Sequence, residues 1–237
     1  MVKIEKKMKS SGINSSMGKL KKTTIKVRSS AKEENARERI LKAAREVFTL
    51  YSFKAASTRM IAKQAGVEHP LIHYYFGSKE NLFYVMAESL YNESLTVQES
   101  WFDGHDQMPL QEGFAIFVDR ALDYTMATPD GLQIAALNMV NIGKIEEIPG
   151  YRFILLSMAN LRRILEKKLK LRGSNREIEM FIYCLYNLMV SLIGARSCLA
   201  QVLNMNPLDE QYRAWVKDAS ITLFFPWFKK LIIGELP

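Results

Sequence analysis

The chain has 237 residues, of which 48% are hydrophobic, 24% are charged and two are cysteines. This composition is typical of a folded protein with a sizeable core, and it excludes a disulfide-stapled scaffold and a fully disordered chain. The net charge of +8 is unevenly placed: residues 1–30 carry a net +8, residues 31–80 a net +3 and residues 81–237 a net −3.

Residues 1–30 are rich in lysine, serine and threonine. Such a segment cannot bury enough apolar surface to fold alone, so we predict a disordered basic tail. It contains no apolar run long enough for a signal peptide, and we expect a cytoplasmic protein.

The first helix is predicted to begin near Ala31, because Ser30 and Glu33 have the spacing of a capping box. Its apolar residues recur at helical spacing and are expected to face a core. They are Ile40, Leu41, Ala44, Val47, Phe48 and Tyr51.

A short helix, a glycine turn and a second short helix are predicted between Ser57 and Lys79. Ser57 has the chemistry of an N-cap, and Gly66 suits a left-handed C-cap. Pro70 fits the first turn of the second helix, where its missing N–H costs nothing. The residues expected to face the core are Ile61, Ala62, Ala65, Ile72 and Phe76. A second helix exposed in this way is typical of the recognition helix of a helix-turn-helix.

This unit resembles the N-terminal DNA-binding domain of TetR-family transcriptional regulators. The resemblance runs from about Arg37 to Leu82 and joins several spaced motifs: Ser57-Thr58, Ile61-Ala62, Ala65-Gly66-Val67, Tyr75-Phe76 and Ser78-Lys79-Glu80. Two positions depart from the family pattern, with Ser52 in place of the usual glycine and His73 in place of the usual tyrosine. The resemblance implies a transcriptional regulator that binds double-stranded DNA.

Carried over by position, the resemblance implies that Thr58, Tyr74 and Lys79 contact the sugar–phosphate backbone. His73 occupies the position at which the family's tyrosine contacts a phosphate. The candidates for the DNA groove are Arg59, His69, Pro70, Leu71 and Tyr75, and an arginine can donate two hydrogen bonds to a guanine edge. The alternative for each is an ordinary surface side chain, or core packing for the two tyrosines. Two roles stay open for the tail: an arm on the DNA, or a solvated extension.

The remainder of the chain is predicted to be helical. A fourth helix from Ser78 to about Glu99 links the motif to five further helices at 109–127, 131–140, 151–172, 175–204 and 208–232, and Pro226 should kink or restart the last one. The expected fold is all-α: a three-helix helix-turn-helix domain (31–80) and a helical regulatory and dimerisation domain (81–237). We expect no membrane span, because the apolar stretch 180–195 is short and contains polar residues. Cys184 and Cys198 are expected to lie unpaired on one buried helix.

The last two long helices are apolar over more than one face. The resemblance implies that they form a four-helix interface in a homodimer; the alternative is a larger monomeric core. Aromatic and methionine side chains between the helix pairs predict a site for a small apolar or aromatic effector, or else plain core. The candidate lining residues are Phe114, Phe117, Tyr124, Asn138, Met139, Phe153, Tyr183, Tyr186 and Asn187.

The function expected from these features is that of a repressor released from a palindromic operator by its effector. One rival is a DNA-bound adaptor that recruits a protein partner without a ligand, and another is a nonspecific DNA binder driven by the tail. His69 and His73 have the spacing of a metal pair, but Pro70 stands where a zinc-protease helix has glutamate, and His105 has no partner spacing. We expect no metal, no cofactor and no enzymatic activity.

Overall fold

The structure is a computed structural model that describes residues 36–139 and 145–234. Across these residues the chain is helical and forms no strand, which confirms the all-α class. The helices are α1 (36–50), α2 (Thr58–Ala65), α3 (Pro70–Phe76), α4 (Lys79–Gln98), α5 (Leu110–Ala127), α6 (Asp130–Met139), α7 (Arg152–Lys168), α8 (Asn175–Met189), α9 (Arg196–Val202) and α10 (Glu210–Ile233). The predicted capping box and the basic tail lie outside the described residues.

The first three helices share a core with the start of α4. Its buried residues include Ile40, Ala44, Val47, Phe48, Ile61, Ala62, Ile72, Phe76, Leu82, Phe83 and Met86. Tyr51, predicted to belong to the inner face of the first helix, is 44% exposed because α1 ends one residue earlier. Ile134 and Ile148 complete this core from the C-terminal part of the chain, so the motif and the body pack directly against each other.

The body is a helical bundle around a second core. Helix α4 packs on α7, α7 on α8, α8 on α10, and α10 on α5. The predicted helices at 109–127 and 131–140 agree with α5 and α6 to within one residue. Helix α7 ends at Lys168, four residues before the predicted end, because Leu169 adopts an extended conformation.

The predicted helix at 175–204 is interrupted. After α8 the chain forms a π-turn, Val190–Gly194, before α9 begins. At this turn α6 approaches so closely that a Cβ on Gly194 would lie 2.7 Å from the carbonyl carbon of Leu132. Carbon atoms prefer a separation of about 3.5–4.0 Å, so only a glycine fits this crossing without a shift.

Helix α10 continues through Pro226, so the helix does not restart at this proline, and of the two predicted outcomes only a kink remains. A proline inside a helix deprives the carbonyl four residues earlier of its donor. Here that carbonyl belongs to Thr222, and both residues are exposed, so water can take the place of the missing N–H.

The stretch Asn175–Gly194 is long and apolar enough to cross a membrane by length and composition, with a mean hydropathy of 1.3. It starts five residues before the apolar stretch 180–195 that is predicted to be too short, so that prediction is not contradicted. Core helices of folded proteins have the same properties, and Ile178, Phe181 and Ile182 of this stretch are buried in the body's core. Its outer face is exposed. Cys184 lies there and Cys198 is exposed on α9, so the expectation of buried cysteines is wrong.

Candidate functional site

The predicted helix-turn-helix is built by its caps. The Ser57 hydroxyl accepts a hydrogen bond from the backbone N–H of Met60 at 3.3 Å, which caps α2. Gly66 ends α2 in the left-handed region, at φ 62° and ψ 43°. Pro70 occupies the first turn of α3, and Ser78 caps α4. These local signals fix the angle at which α3 leaves the core.

The candidate DNA-binding residues fall into two groups. Arg59, Pro70, His73 and Tyr74 are exposed, and Tyr74 keeps 72% of its surface accessible. The half-buried group consists of Thr58, His69, Leu71, Tyr75 and Lys79. Leu71 and Tyr75 pack partly against the N-terminal core. The exposed group is accessible to a duplex, and the half-buried group is accessible only in part.

Two histidines of the motif are engaged in hydrogen bonds. The Thr58 hydroxyl and the His69 Nε2 lie 2.8 Å apart, which ties the start of α2 to the residue before α3. His73 Nδ1 donates to the carbonyl oxygen of Gly77 at 3.0 Å, at the C-terminal end of α3. The rings of His69 and His73 meet edge to face at 5.2 Å. Both histidines are predicted to contact DNA, and both also make contacts that stabilise the helix-turn-helix itself.

Lys79 has a structural role of its own. Its ammonium donates to the carbonyl oxygens of Phe53 and Ala56 at 2.8 and 3.0 Å. It also lies 4.4 Å from the centre of the Phe53 ring, within cation–π range. These contacts close the loop between α1 and α2. Because an ammonium has three donors, a phosphate contact by Lys79 would use the remaining one.

The second candidate site is a cavity of about 240 Å³ between α4, α5, α6, α7 and α8. Six of the nine candidate lining residues border it: Phe117, Tyr124, Asn138, Met139, Phe153 and Tyr186. Gly131 and Met139 in its wall are exposed, so the cavity reaches the surface beside α6. The wall is largely apolar, as the sequence predicts.

The other three candidates lie elsewhere. Phe114 is fully buried in the body's core against Phe228, with ring centres 4.8 Å apart. Tyr183 and Asn187 lie on the exposed outer face of α8. Around the axis of α8, Tyr183 and Asn187 are rotated from Tyr186 by about 60° and about 100° in the same direction, which places both outside the cavity wall.

Arg45 is a cavity residue that the sequence does not single out. Its Nη1 donates to both carboxylate oxygens of Glu93 at 3.0 and 2.9 Å, and its Nε donates to Asp130. Burial opposes its charge, but the bonds to Asp130 and Glu93 outweigh burial and raise the pKa of Arg45. No local pattern links these residues, because Arg45 and Asp130 are 85 positions apart.

Asn138 both lines the cavity and contacts the motif. It is buried, its Oδ1 accepts from the Phe53 N–H at 2.8 Å, and its Nδ2 donates to the Ile134 carbonyl at 2.7 Å. Together with the pair of Arg45 and Asp130, this bond gives α6 two direct links to α1 and the loop between α1 and α2. Helix α6 therefore contacts the motif on one side and the cavity on the other.

The uncharged polar residues of the cavity wall differ in how many hydrogen bonds they make within the protein. Gln98 donates to the Ser157 hydroxyl at 2.9 Å and accepts from Asn160 at 2.7 Å. Tyr186 makes no hydrogen bond to any described residue, and burial raises the pKa of its phenol well above the ordinary value. Within 36–139 and 145–234 no group of three or more His, Cys, Asp or Glu residues is placed to hold a metal ion.

Comparison with known families links the motif to transcription. Residues 40–85 match the family described as bacterial regulatory proteins, tetR family. Comparison with curated proteins gives no match. The matched segment covers α2, α3, most of α1 and the start of α4, which are the elements that form the helix-turn-helix and its core.

Solved structures share the fold over most of the chain. The transcriptional regulator FadR from Bacillus subtilis, in complex with stearoyl-CoA, is 15% identical, with a TM-score of 0.57 over 84% of this chain and 99% of that chain. The fatty acid degradation regulator FadR from Bacillus halodurans is 17% identical, with a TM-score of 0.57 over 84% and 95%. HlyIIR, a hemolysin II transcriptional regulator, is 19% identical, with a TM-score of 0.55 over 81% and 98%. At these identities the likeness establishes the fold.

Proposed function

We propose that this chain is a ligand-responsive repressor of the TetR family, since residues 40–85 match that family and the fold is shared with two transcriptional regulators. In this proposal a homodimer binds a palindromic operator and leaves it when a small apolar or aromatic molecule occupies the cavity. The observation that carries the proposal is the composition of the cavity wall. Arg45 and Met86 come from the DNA-binding motif and its core, whereas Phe117 and Tyr186 come from the body. A ligand there touches both parts at once.

Helix α3 is the proposed recognition helix. Arg59 of α2 and Pro70, His73 and Tyr74 of α3 are exposed, and their groups suit phosphates and base edges. Residues 31–80 carry a net +3 and residues 81–237 a net −3, so positive charge is concentrated on the DNA-binding part of the folded chain. This charge distribution should attract the negatively charged duplex to the part of the chain that contains α3.

The size of the recognition surface supports a homodimer. A seven-residue helix reads too few base pairs for useful specificity, whereas two copies about 34–36 Å apart fit successive major grooves. The outer face of α8 and α9 is exposed at helical spacing, at positions 180, 184, 187, 191, 195, 198 and 202. Met180, Val202 and the neighbouring Leu223 of α10 are large and 46–74% exposed. A second copy would cover this face.

The homodimer is tested by mass. Met180→Asp combined with Leu223→Asp should convert the dimer to a monomer in size-exclusion chromatography with light scattering. Leu156→Asp on α7 is the matched control, because Leu156 is 43% exposed but lies on another helix. A wild-type chain that runs as a monomer at micromolar concentration refutes the homodimer.

Release from DNA requires a coupling of only about 1–3 kcal/mol between the two sites. A ligand that shifts α6 changes the bonds from Asn138 to Phe53 and from Asp130 to Arg45, which orient the motif. The FadR neighbour bound to stearoyl-CoA supports an apolar chain as one ligand class for this fold. The cavity itself favours a ligand sensor over an adaptor without a ligand, because an adaptor needs only a filled core.

The proposal is tested in two steps. Binding sites are selected from random duplex DNA, and affinity is then measured by fluorescence anisotropy at one fixed salt concentration. Apolar metabolites are screened by thermal shift, because a ligand at 100 times its Kd stabilises a protein by about 2.7 kcal/mol. Ligands that raise the melting temperature should weaken operator binding about fivefold or more. Ligands that bind the cavity and leave operator affinity unchanged would disprove the release mechanism.

A further inference from the structure

The cavity wall contains a single charged side chain among the described residues, Arg45. Its guanidinium is already bonded to two carboxylates, those of Glu93 and Asp130. One positive and two negative groups leave this cluster with a net charge of −1. A ligand carboxylate would find no free cation there and would meet a net negative group.

Four uncharged polar residues of the wall have hydrogen-bond donors that are already engaged within the protein. Asn138 is bonded at both ends of its amide, and Gln98 donates to Ser157. Thr125 and Thr128 each donate to a backbone carbonyl one helical turn earlier, at 2.7 Å. Because their donors are engaged, these groups cannot solvate a buried carboxylate without breaking bonds within the protein.

Tyr186 offers a hydrogen bond that the protein itself does not use. It is partly buried and packs against the body's core beside Leu185 and Met189, which also border the cavity. Its hydroxyl has no partner among residues 36–139 and 145–234, and burial holds the phenol protonated by raising its pKa. A protonated phenol in an apolar wall can donate one hydrogen bond to an uncharged acceptor.

We propose that the cavity selects an uncharged ligand, apolar over most of its length, that accepts a hydrogen bond from Tyr186, and that it excludes carboxylates. This inference rests on the proposed function, since it specifies the effector of the same cavity. A cavity of roughly 150 Å³ holds benzene, so the 240 Å³ here is about 1.6 times as large and suits a ligand of about ten non-hydrogen atoms.

The test compares three probes of that size on the full-length protein at mildly alkaline pH. Octanamide and octanoate have the same length and shape and differ in charge, and naphthalene has no hydrogen-bonding group. By isothermal titration calorimetry, octanamide should bind at least about tenfold more tightly than octanoate, a difference of about 1.4 kcal/mol. Naphthalene binding reports on the apolar cavity alone.

Tyr186→Phe tests the hydrogen bond. It should weaken octanamide binding about fivefold, the effect of one net hydrogen bond, and leave naphthalene binding unchanged. Tyr183→Phe is the matched control, because Tyr183 lies one residue outside the inner face of α8 and is 43% exposed. It should change neither affinity.

Release of Arg45 tests the exclusion of anions. Glu93→Gln combined with Asp130→Asn frees the guanidinium and should raise the affinity for octanoate relative to octanamide by about tenfold or more. Glu93→Gln alone should change the ratio in the same direction and covers the case in which the double variant does not fold. Glu112→Gln, an exposed change of the same charge on α5, should leave the ratio unchanged.

The outcomes separate this inference from the proposed function. Octanoate binding as tightly as octanamide would overturn the inference and leave a ligand-responsive regulator in place. Unaltered octanamide binding by Tyr186→Phe would overturn it in the same way. If none of the three probes binds, naphthalene included, the cavity is not an effector site, and the proposed function fails with the inference.

Discussion

Gly194→Ala is expected to destabilise the body, because this glycine lies where the π-turn crosses α6. An added Cβ would lie 2.7 Å from the carbonyl carbon of Leu132 and 3.2 Å from the Cβ of Ala136. Ordinary carbon–carbon contact needs about 3.5 Å, so the two backbones would have to separate by about 0.8 Å. The atoms in the way belong to the Leu132 backbone and not to the end of a flexible side chain, so a change of rotamer cannot relieve the clash.

The magnitude follows from two opposing effects. Overpacking of a core costs about 1–3 kcal/mol, whereas replacing a helical glycine with alanine gains about 0.5–1 kcal/mol. The net loss should be about 1–2 kcal/mol. For a chain of this size, each 1 kcal/mol lowers the melting temperature by about 2–4 °C.

The assay is urea and thermal unfolding at a fixed protein concentration, with Gly131→Ala as control. Gly131 is also a helical glycine, in α6, but a Cβ there meets no atom within 4 Å. That variant should be as stable as the wild type or up to about 0.5–1 kcal/mol more stable. The reasoning is refuted if Gly194→Ala unfolds at the same urea concentration as Gly131→Ala.

Three further predictions concern the motif and the turn before α5. Lys79→Met removes the bonds to the Phe53 and Ala56 carbonyls and should lower the free energy of unfolding by about 1–2 kcal/mol. It should also lower the affinity for the operator. The control is Lys63→Met, which removes the same charge at an exposed position and should leave stability unchanged. Arg59→Ala should leave the melting temperature unchanged, lower the affinity for the selected operator by about 1–3 kcal/mol and relax the preference for one base pair. If the affinity falls equally for all DNA sequences, Arg59 contacts a phosphate and not a base. Burial lowers the pKa of His105 in the folded chain below its value of 6.5 in the unfolded chain. At a pH between the folded and the unfolded pKa, the unfolded chain therefore binds more protons than the folded chain. Stability should therefore be complete above about pH 6.5 and fall as the pH drops below it, and His105→Phe should reduce this slope in urea unfolding.

The helix-turn-helix was predictable because its signals are local. Ser57, Gly66 and Pro70 act through bonds to residues within one turn, so a single sequence contains the whole argument. The same holds for the ends of α5 and α6, which are set by breaks at adjacent residues. Where a feature depends only on its neighbours along the chain, pattern and structure agree.

The cavity was predictable only in composition. Aromatic and methionine residues indicate an apolar interior, but the pattern does not say which face of α8 turns inward, and Tyr183 and Asn187 lie outside that face on the exposed side of the helix. The π-turn at Gly194 depends on the α6 backbone, more than 50 residues earlier. Such features arise from long-range packing, which helical periodicity does not encode.

The direct links between α6 and the motif bear on how the two sites communicate. Helix α4 runs from the motif to the cavity and would be one route of coupling in the proposed mechanism, but Asn138 and Asp130 also bond directly to Phe53 and Arg45. Each net hydrogen bond contributes about 0.5–1.5 kcal/mol, and a bond to a charged group about 1.5–3 kcal/mol. The two links together therefore reach the range of about 1–3 kcal/mol that coupling between sites requires. A ligand that weakens them by moving α6 needs no rotation of α4 to change the position of α3.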